Sequence, residues 1–185
     1  MIFTKKQLKE TLKNEKRFYL PKETALEWIL TSDNRYALYR YVCYLRKTEY
    51  HYNNRSNPIH KVLYGFCRRR KNILGRRLGI EMWENTFDTG LMIWHAGNIV
   101  VNGHSRIGKN CILHGDNCVG NTGKSSPCPK LGDNVRLGVG AKVIGGIEIA
   151  DNVTIAAGAV VIESCLIEHA VLAGVPAKCV KIAKV

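Results

Sequence analysis

The segment LGVGAKVIGGIEIADNVTIAAGAVV, residues 137–161, places an aliphatic side chain at every sixth position. The same step continues beyond both ends of the segment, and eleven of the twelve positions that it reaches are aliphatic: Val101, Ile107, Leu113, Val119, Leu131, Leu137, Val143, Ile149, Ile155, Val161 and Ile167. A period of six matches neither the roughly 3.6-residue period of a helix nor the alternation of a sandwich strand. It is typical of a parallel β-helix, in which each short strand adds one aliphatic side chain to a continuous interior. We therefore predict a mainly β fold, a parallel β-helix of hexapeptide repeats.

The one position that breaks the repeat is Ser125, which lies within NTGKSSPCPK, residues 121–130. The repeat resumes in phase at Leu131. We expect residues 121–130 to replace one face of the β-helix with a protruding loop, and solenoid proteins place such insertions on a binding face.

Basic residues are concentrated in the first part of the chain. Residues 1–80 hold 19 Lys and Arg against 6 Asp and Glu, whereas residues 81–185 hold 9 of each, so the net charge of +13 belongs to the first part. Helical spacing of apolar residues follows Ser32 and Asp33, either of which could cap a helix, and a second helix is predicted from about Pro58 to Leu78. We predict a basic α-helical region over 1–79, the β-helix over 80–169 and a C-terminal tail over 170–185.

The basic run at residues 68–71 has two interpretations. It is either a solvated helix face or a contact for an anionic partner, such as a phospholipid surface or a lipid-linked glycan. Nucleic acid is not expected, because no recognised binding motif accompanies the charge. The chain has no apolar run of about 20 residues, no apolar leader and no C-x-x-C pair among its seven cysteines. We therefore predict a cytoplasmic protein with reduced thiols. It would be located either in the bulk cytoplasm or at the inner face of the membrane.

Four segments together resemble one enzyme family. They are LMIWHAGNIVV (91–101), GNTGK (120–124), LGVGAKVIGGI (137–147) and AGVPAK (173–178). As a set, over residues from about 79 to 180, they resemble the serine O-acetyltransferases and the related capsular and exopolysaccharide O-acetyltransferases. The resemblance implies a left-handed β-helix, acetyl-coenzyme A as co-substrate, and a homotrimer whose sites lie between neighbouring protomers.

The resemblance also implies the catalytic residues. His95, six positions before Val101, would be the general base that removes a proton from the acceptor hydroxyl, a task suited to an imidazole near neutral pH. A carboxylate usually orients such an imidazole. Glu81, within GIEM at 79–82, matches the family's acidic position with a spacing one residue short, and Asp88 is the alternative.

Two departures from the family pattern concern the acceptor. Trp94 stands where serine-specific members carry an acid, and Cys128 stands where they carry a histidine. These changes remove charge pairs that would recognise an amino acid, and tryptophan offers a face that suits a sugar ring. With Trp94, Cys128 and His114 assigned to acceptor binding, we predict a sugar or polysaccharide precursor as acceptor. Serine, or the amine of an amino sugar, is the alternative, and a nucleophilic role for Cys128 is a further one.

Coenzyme-binding positions follow from small residues and from the resemblance. Val139, Gly140, Ala157 and Gly158 form two pairs eighteen residues apart, so they would stack on neighbouring coils against a pantetheine arm. Lys124 and Lys178 would contact the coenzyme from the loop and the C-terminal segment. No metal is predicted, because His95, His104 and His114 are nine and ten residues apart and lack the close pair typical of zinc-binding relatives. A zinc protein and a non-enzymatic scaffold are the remaining alternatives.

Overall fold

The computed structural model describes residues 1–20, 25–123 and 127–183, and it begins with four helices. These are α1 Lys5–Tyr19, α2 Ala25–Leu30, α3 Asn34–Asn53 and α4 Pro58–Leu78. The predicted helices are confirmed as α3, whose N-cap is Asp33, and α4. Proline suits the first turn of α4, and Gly79 ends that helix in the left-handed conformation with φ +66°.

Short strands then wind into a three-sided parallel β-helix. Face A contains β1 (Ile80–Glu81), β3 (Ile99–Val101), β6 (Cys118–Gly120), β9 (Lys142–Ile144) and β12 (Val160–Val161). Face B contains β4 (Arg106–Ile107), β7 (Lys130–Leu131) and β10 (Glu148–Ile149). Face C contains β2 (Met92–Ile93), β5 (Ile112–Leu113), β8 (Arg136–Leu137), β11 (Thr154–Ile155), β13 (Ala170–Gly174) and β14 (Ala177–Ile182). The chain visits A, B and C in turn, and all neighbouring strands are parallel except β13 and β14.

The interior consists of the aliphatic side chains that the six-residue period predicts. On face C, Leu113, Leu137 and Ile155 lie in register on successive coils and are completely buried. Burial of each such side chain is worth about 1.5–3 kcal/mol. The ladder ends at Val161, because the last coil is one residue short: Ile155 pairs with Leu172, and the expected Ile167 is exposed.

The loop does not replace a face. Val119 on face A and Leu131 on face B are twelve residues apart, where six is usual, so the loop is an insertion at the A–B edge and all three faces remain. An insertion of six residues leaves the phase of the repeat unchanged, which is why the sequence did not distinguish insertion from replacement. Ser125 lies outside the described residues.

Buried ion pairs attach the helices to the first coil. The Arg46 guanidinium contacts Glu15 at 2.7 Å and Glu49 at 3.1 Å, and it donates to the carbonyl oxygens of Phe87 and Asp88. Lys71, the last residue of the basic run, is also buried and pairs with Glu84 at 3.2 Å. The run is therefore not a uniformly solvated face, and an anionic partner for it stays a prediction.

The predicted C-terminal tail consists mainly of two strands. It contains β13, which extends face C in register with β11, and β14, which pairs with β13 as a hairpin. Among the described helices, none combines the length and the apolar character needed to cross a bilayer.

Candidate active site

His95 lies on the edge between faces C and A, directly after β2. The Trp94 backbone N–H donates to the Leu113 carbonyl oxygen at 2.8 Å and ends the strand, and the His95 side chain beyond it is exposed. Ile93 pairs with Leu113, twenty residues further along, so this coil has two residues more than the usual eighteen. The inward position therefore belongs to Ile93, and the assignment of His95 to the six-residue register is wrong.

Helix α1 fixes the strand that precedes His95. The buried Tyr19 hydroxyl accepts a hydrogen bond from the Ile93 N–H at 2.7 Å and donates to the Leu91 carbonyl oxygen at 3.2 Å. Glu15 accepts from the N–H groups of Gly90 and Leu91, each at 3.2 Å. Burial raises the pKa of Tyr19, so its hydroxyl stays protonated. Sequence reasoning missed these residues because the contacts join positions more than seventy apart.

The edge above His95 is built from small residues. Gly115 lies one coil higher, with φ +115°, and a Cβ placed on it would be 3.3 Å from the His95 Cβ. The Gly140 N–H donates to the Gly115 carbonyl oxygen at 3.0 Å, and the Gly158 N–H donates to that of Val139 at 2.8 Å. The structure thus brings His95 to the same edge as the four predicted coenzyme positions, including Ala157. A Cβ on Gly158 would meet nothing within 4 Å, so this edge is open to solvent; we call its row of small residues the C–A groove.

Aromatic and cationic side chains cluster at the base of the C–A groove. The rings of Trp94 and His114 stack at 6.0 Å with an interplanar angle of 17°. The Arg35 guanidinium lies 5.6 Å from the Trp94 ring and 5.0 Å from the Trp28 ring. The pKa of His114 is lowered, mainly by partial burial and further by the neighbouring His95 and Arg136. Sequence reasoning missed Arg35, which is one of many basic residues in the helical region.

Other predicted site residues lie elsewhere in the chain. Glu81 is on face A beside Val100, and the Asp88 carboxylate accepts from the N–H of Thr89. Among the described residues, neither carboxylate is hydrogen bonded to His95. Cys128 is buried at the A–B edge, where the adjacent Pro127 packs against Gly146.

The two lysines of the coenzyme prediction also lie apart from His95. Lys178 pairs with Glu163 at 2.7 Å on the surface of the last coil, and Lys124 lies outside the described residues. Within residues 1–20, 25–123 and 127–183, no three His, Cys, Asp or Glu side chains come together as metal ligands would.

The chain is similar in sequence and in fold to bacterial acetyltransferases. Residues 128–163 match the bacterial transferase hexapeptide family of six repeats. The fold matches the crystal structure of serine acetyltransferase from Neisseria gonorrhoeae with a TM-score of 0.72 and 23% identity, over 98% of this chain and 70% of that one. The chain is a left-handed parallel β-helix of the hexapeptide-repeat class.

The relatives that the sequence matches are serine acetyltransferases. The chain is 32% identical over 133 residues to the serine acetyltransferase of Staphylococcus xylosus. The match covers 66% of this chain and 61% of that one. A serine acetyltransferase of Brucella abortus, solved in complex with coenzyme A, matches with a TM-score of 0.70 and 21% identity, over 97% of this chain and 68% of that one. The chain spans 47 to 65% of the length of the first curated relatives it matches. It resembles serine O-acetyltransferases among the hexapeptide-repeat acyltransferases.

The prediction of a sugar or polysaccharide acceptor is wrong. The relatives found by sequence and the proteins of the same fold are serine acetyltransferases, which favours the alternative acceptor, serine. The structure gives a physical reason. The prediction assumed a free tryptophan face for a sugar ring, whereas the protein's own Arg35 and His114 stack on Trp94.

Proposed function

We propose that this protein is a serine O-acetyltransferase that uses acetyl-coenzyme A and has His95 as its general base. The observation that carries the proposal is the position of His95 at the base of the C–A groove. Its side chain is exposed, and its Cβ lies 3.3 Å from where a Gly115 Cβ would be, in line with Gly140 and Gly158 on the coils above. A base at the end of an exposed row of small residues can meet both an acceptor hydroxyl and an extended thioester.

The reaction needs one base and no covalent enzyme intermediate. The His95 imidazole accepts the proton of the serine hydroxyl as the oxygen attacks the thioester carbonyl carbon. The carbon–sulfur bond then breaks, and the leaving sulfur takes the proton from the imidazolium. The products are O-acetylserine, free coenzyme A and neutral His95. General-base catalysis of this kind contributes about 10²–10⁴-fold to the rate.

The C–A groove suits the pantetheine arm of the coenzyme. Gly140, Ala157 and Gly158 leave backbone groups accessible, and the exposed Val139 adds an apolar contact. Lys178 is half-exposed, and its ion pair with Glu163 is a surface pair of the kind that contributes little to stability. Its ammonium group is therefore available to coenzyme phosphates, for which it would exchange Glu163.

We further propose that the active form is a homotrimer. Glu81 and Cys128 lie on face A and at the A–B edge, away from His95 of the same chain. Prisms packed side by side would bring these surfaces of one protomer to the C–A groove of the next. Light scattering should then give three times the chain mass of 20.8 kDa. A fully active monomer would contradict the trimer. We also propose a cytoplasmic location, because the proposed reaction uses acetyl-coenzyme A, which is available there.

The direct test is the release of coenzyme A from acetyl-coenzyme A in the presence of L-serine. We expect turnover of about 1–10³ per second. His95→Ala should lower kcat by about 10²–10⁴-fold without changing the melting temperature, because the side chain is exposed. His169→Asn is the control, since this histidine lies between faces B and C, apart from both the C–A groove and the A–B edge, and asparagine tolerates its φ of +59°; it should retain full activity. Absence of serine acetylation, or full activity of His95→Ala, would contradict the proposal.

A further inference from the structure

Arg35 occupies a position that the helix dipole disfavours and at which no acid in the described part of the chain pairs with it. It lies in the first turn of α3, at the positive end of the helix dipole, where a cation is unfavourable. The nearest acid in sequence, Asp33, uses its carboxylate to accept the Arg35 backbone N–H as the helix cap. Among the described residues, the Arg35 side chain has no ion pair. A guanidinium held in this way is available to an external anion.

Two tryptophans hold the Arg35 guanidinium in a defined place. Its Cζ atom lies 5.0 Å from the Trp28 ring and 5.6 Å from the Trp94 ring. A guanidinium that packs against aromatic rings still has N–H groups along its edge, and those groups match a carboxylate in a two-point contact. Trp94 stacks on His114, which in turn neighbours His95, so the guanidinium belongs to the same side-chain cluster as the proposed base.

Other basic side chains lie near the Trp94–His114 stack. His95 and Arg136 both neighbour His114 and lower its pKa, in addition to the larger effect of partial burial. The acid on the same edge, Asp116, lies one coil above Gly97, with Oδ2 3.7 Å from where a Gly140 Cβ would be. That carboxylate points along the C–A groove and leaves Arg35 unneutralised.

We propose that Arg35 binds the carboxylate of the acceptor while His95 removes the proton from its hydroxyl. The inference rests on the proposed function, because serine carries both groups on adjacent carbon atoms. The proposal requires the Arg35 guanidinium and the His95 imidazole to be reached by one such small molecule, and both belong to the side-chain cluster of Arg35, Trp94, His114 and His95. Arg35 is thus a specificity-determining residue, supplied by the helical region to a site on the β-helix.

The test compares Arg35→Gln with Arg40→Gln on two acceptors, L-serine and L-serinamide, which has a neutral amide in place of the carboxylate. Arg40 is the matched control because it is an exposed arginine of the same helix, stacked on Tyr36 at 5.9 Å instead of on Trp94. Arg35→Gln should raise the KM for serine about tenfold to a hundredfold, the effect of losing a hydrogen bond to a charged group. Its kcat, its KM for acetyl-coenzyme A and its KM for serinamide should stay close to those of the parent. Arg35→Lys should give an intermediate KM for serine. Lysine keeps the positive charge but lacks the two parallel N–H groups with which a guanidinium contacts a carboxylate.

The possible failures are distinguishable. If the parent acetylates serine but Arg35→Gln has the parent's KM, or loses serine and serinamide equally, the carboxylate assignment is wrong and the proposed function stands. If the parent does not acetylate serine, both are wrong. Arg35 is exposed, so the variant should fold, and an unchanged melting temperature verifies this.

Discussion

Gly115 determines how closely the coil above His95 can approach it. An alanine there would need a backbone φ of +115°, and its Cβ would lie 3.3 Å from the His95 Cβ. We expect Gly115→Ala to cost about 1–3 kcal/mol of stability. It should also lower kcat at least tenfold, because small displacements of a catalytic group are costly. Thermal unfolding and serine acetylation measure the two effects.

A matched control exists for this prediction. Gly65 lies within α4, and a Cβ on it would meet nothing within 4 Å. Gly65→Ala should raise stability by about 0.5–1 kcal/mol and leave kcat unchanged. Parent-like kcat in Gly115→Ala would show that the position of His95 does not depend on this glycine.

Ala157 provides a separate test of the C–A groove. The residue is exposed two coils above Gly115, so Ala157→Trp should fill the groove without disturbing the core. We expect the KM for acetyl-coenzyme A to rise tenfold or more and the KM for serine to stay the same. Leu166→Trp, at an exposed site in the chain segment between β12 and β13, is the control. An unchanged KM for acetyl-coenzyme A in Ala157→Trp would place the coenzyme elsewhere.

At the level of single residues, the six-residue period predicts the buried positions correctly where the repeat is regular. It fails where a coil is longer or shorter than eighteen residues. The buried ladder from Val101 to Val161 follows directly from the six-residue period at its described positions. His95 and Ile167 were placed by the same period, but the first coil is two residues longer and the last one shorter than usual. Local periodicity carries no information on such changes, because they depend on how the end coils meet other elements.

At the scale of elements, the hydrogen bonds from α1 to β2 should control the active site. Tyr19→Phe leaves the Ile93 N–H and the Leu91 carbonyl oxygen without their buried partner. We expect a loss of about 1–3 kcal/mol in stability. The variant should also lower kcat for serine more than it changes either KM, because β2 directly precedes His95. Urea unfolding and steady-state kinetics give the two readouts.

Tyr52→Phe is the matched control for Tyr19→Phe. Its ring packs on Tyr64 at 5.5 Å, and its hydroxyl donates to no described residue. It should change neither stability nor kcat appreciably. A Tyr19→Phe variant that loses stability but keeps the parent's kcat would limit α1 to a structural role.

The buried cluster around Arg46 should be the main attachment of the helices. Arg46→Met would leave the buried Glu15 carboxylate without its cation and Glu49 with only the N-terminal ammonium group, 3.8 Å away. Removal of one partner from such a cluster costs about 3–5 kcal/mol. Arg40→Met, at an exposed position of the same helix, should cost little. Equal unfolding free energies for the two variants would contradict this role of Arg46.

The elements themselves differ in how far sequence predicts them. α3 and α4 are short-range features, visible in apolar spacing, in the Asp33 cap and in the Pro58 and Gly79 boundaries. Their packing is not visible in that way, because buried Arg46 and Lys71 are indistinguishable by composition from the exposed basic residues around them. The partners of Arg35 were missed for the same reason.

At the scale of the whole molecule, the candidate site lies where the two regions meet. The β-helix alone supplies the C–A groove and His95, and α1 fixes β2 through Tyr19. The segment from α2 to α3 adds Trp28 and Arg35 beside Trp94. The helical region is therefore part of the proposed site as well as a cover for the first coil.

The contact between α3 and α4 should make stability depend on pH. His51 and His60 face each other with their Nδ1 atoms 3.0 Å apart, beside the ring of Tyr50. The pKa of His51 is lowered from its ordinary value of 6.5, mainly by burial and further by the nearby His60 and Lys47. Below about pH 6.5 the unfolded chain therefore binds a proton at His51 that the folded chain does not bind readily. The free energy of unfolding should therefore fall as the pH drops from about 6.5 toward the lower pKa of folded His51, and it should level off below that pKa.

His60→Gln should weaken this dependence, because it removes the imidazole that opposes protonation of His51 and keeps a side chain able to form a hydrogen bond. We expect a smaller loss of stability between about pH 7.5 and about pH 5.5 than in the parent. Some dependence should remain, since the pKa of His114 is lowered too and acts with the same sign. His104→Gln, at an exposed site on the β-helix, should keep the parent's pH profile. Identical profiles for His60→Gln and the parent would show that the histidine pair does not link protonation to the packing of α3 on α4.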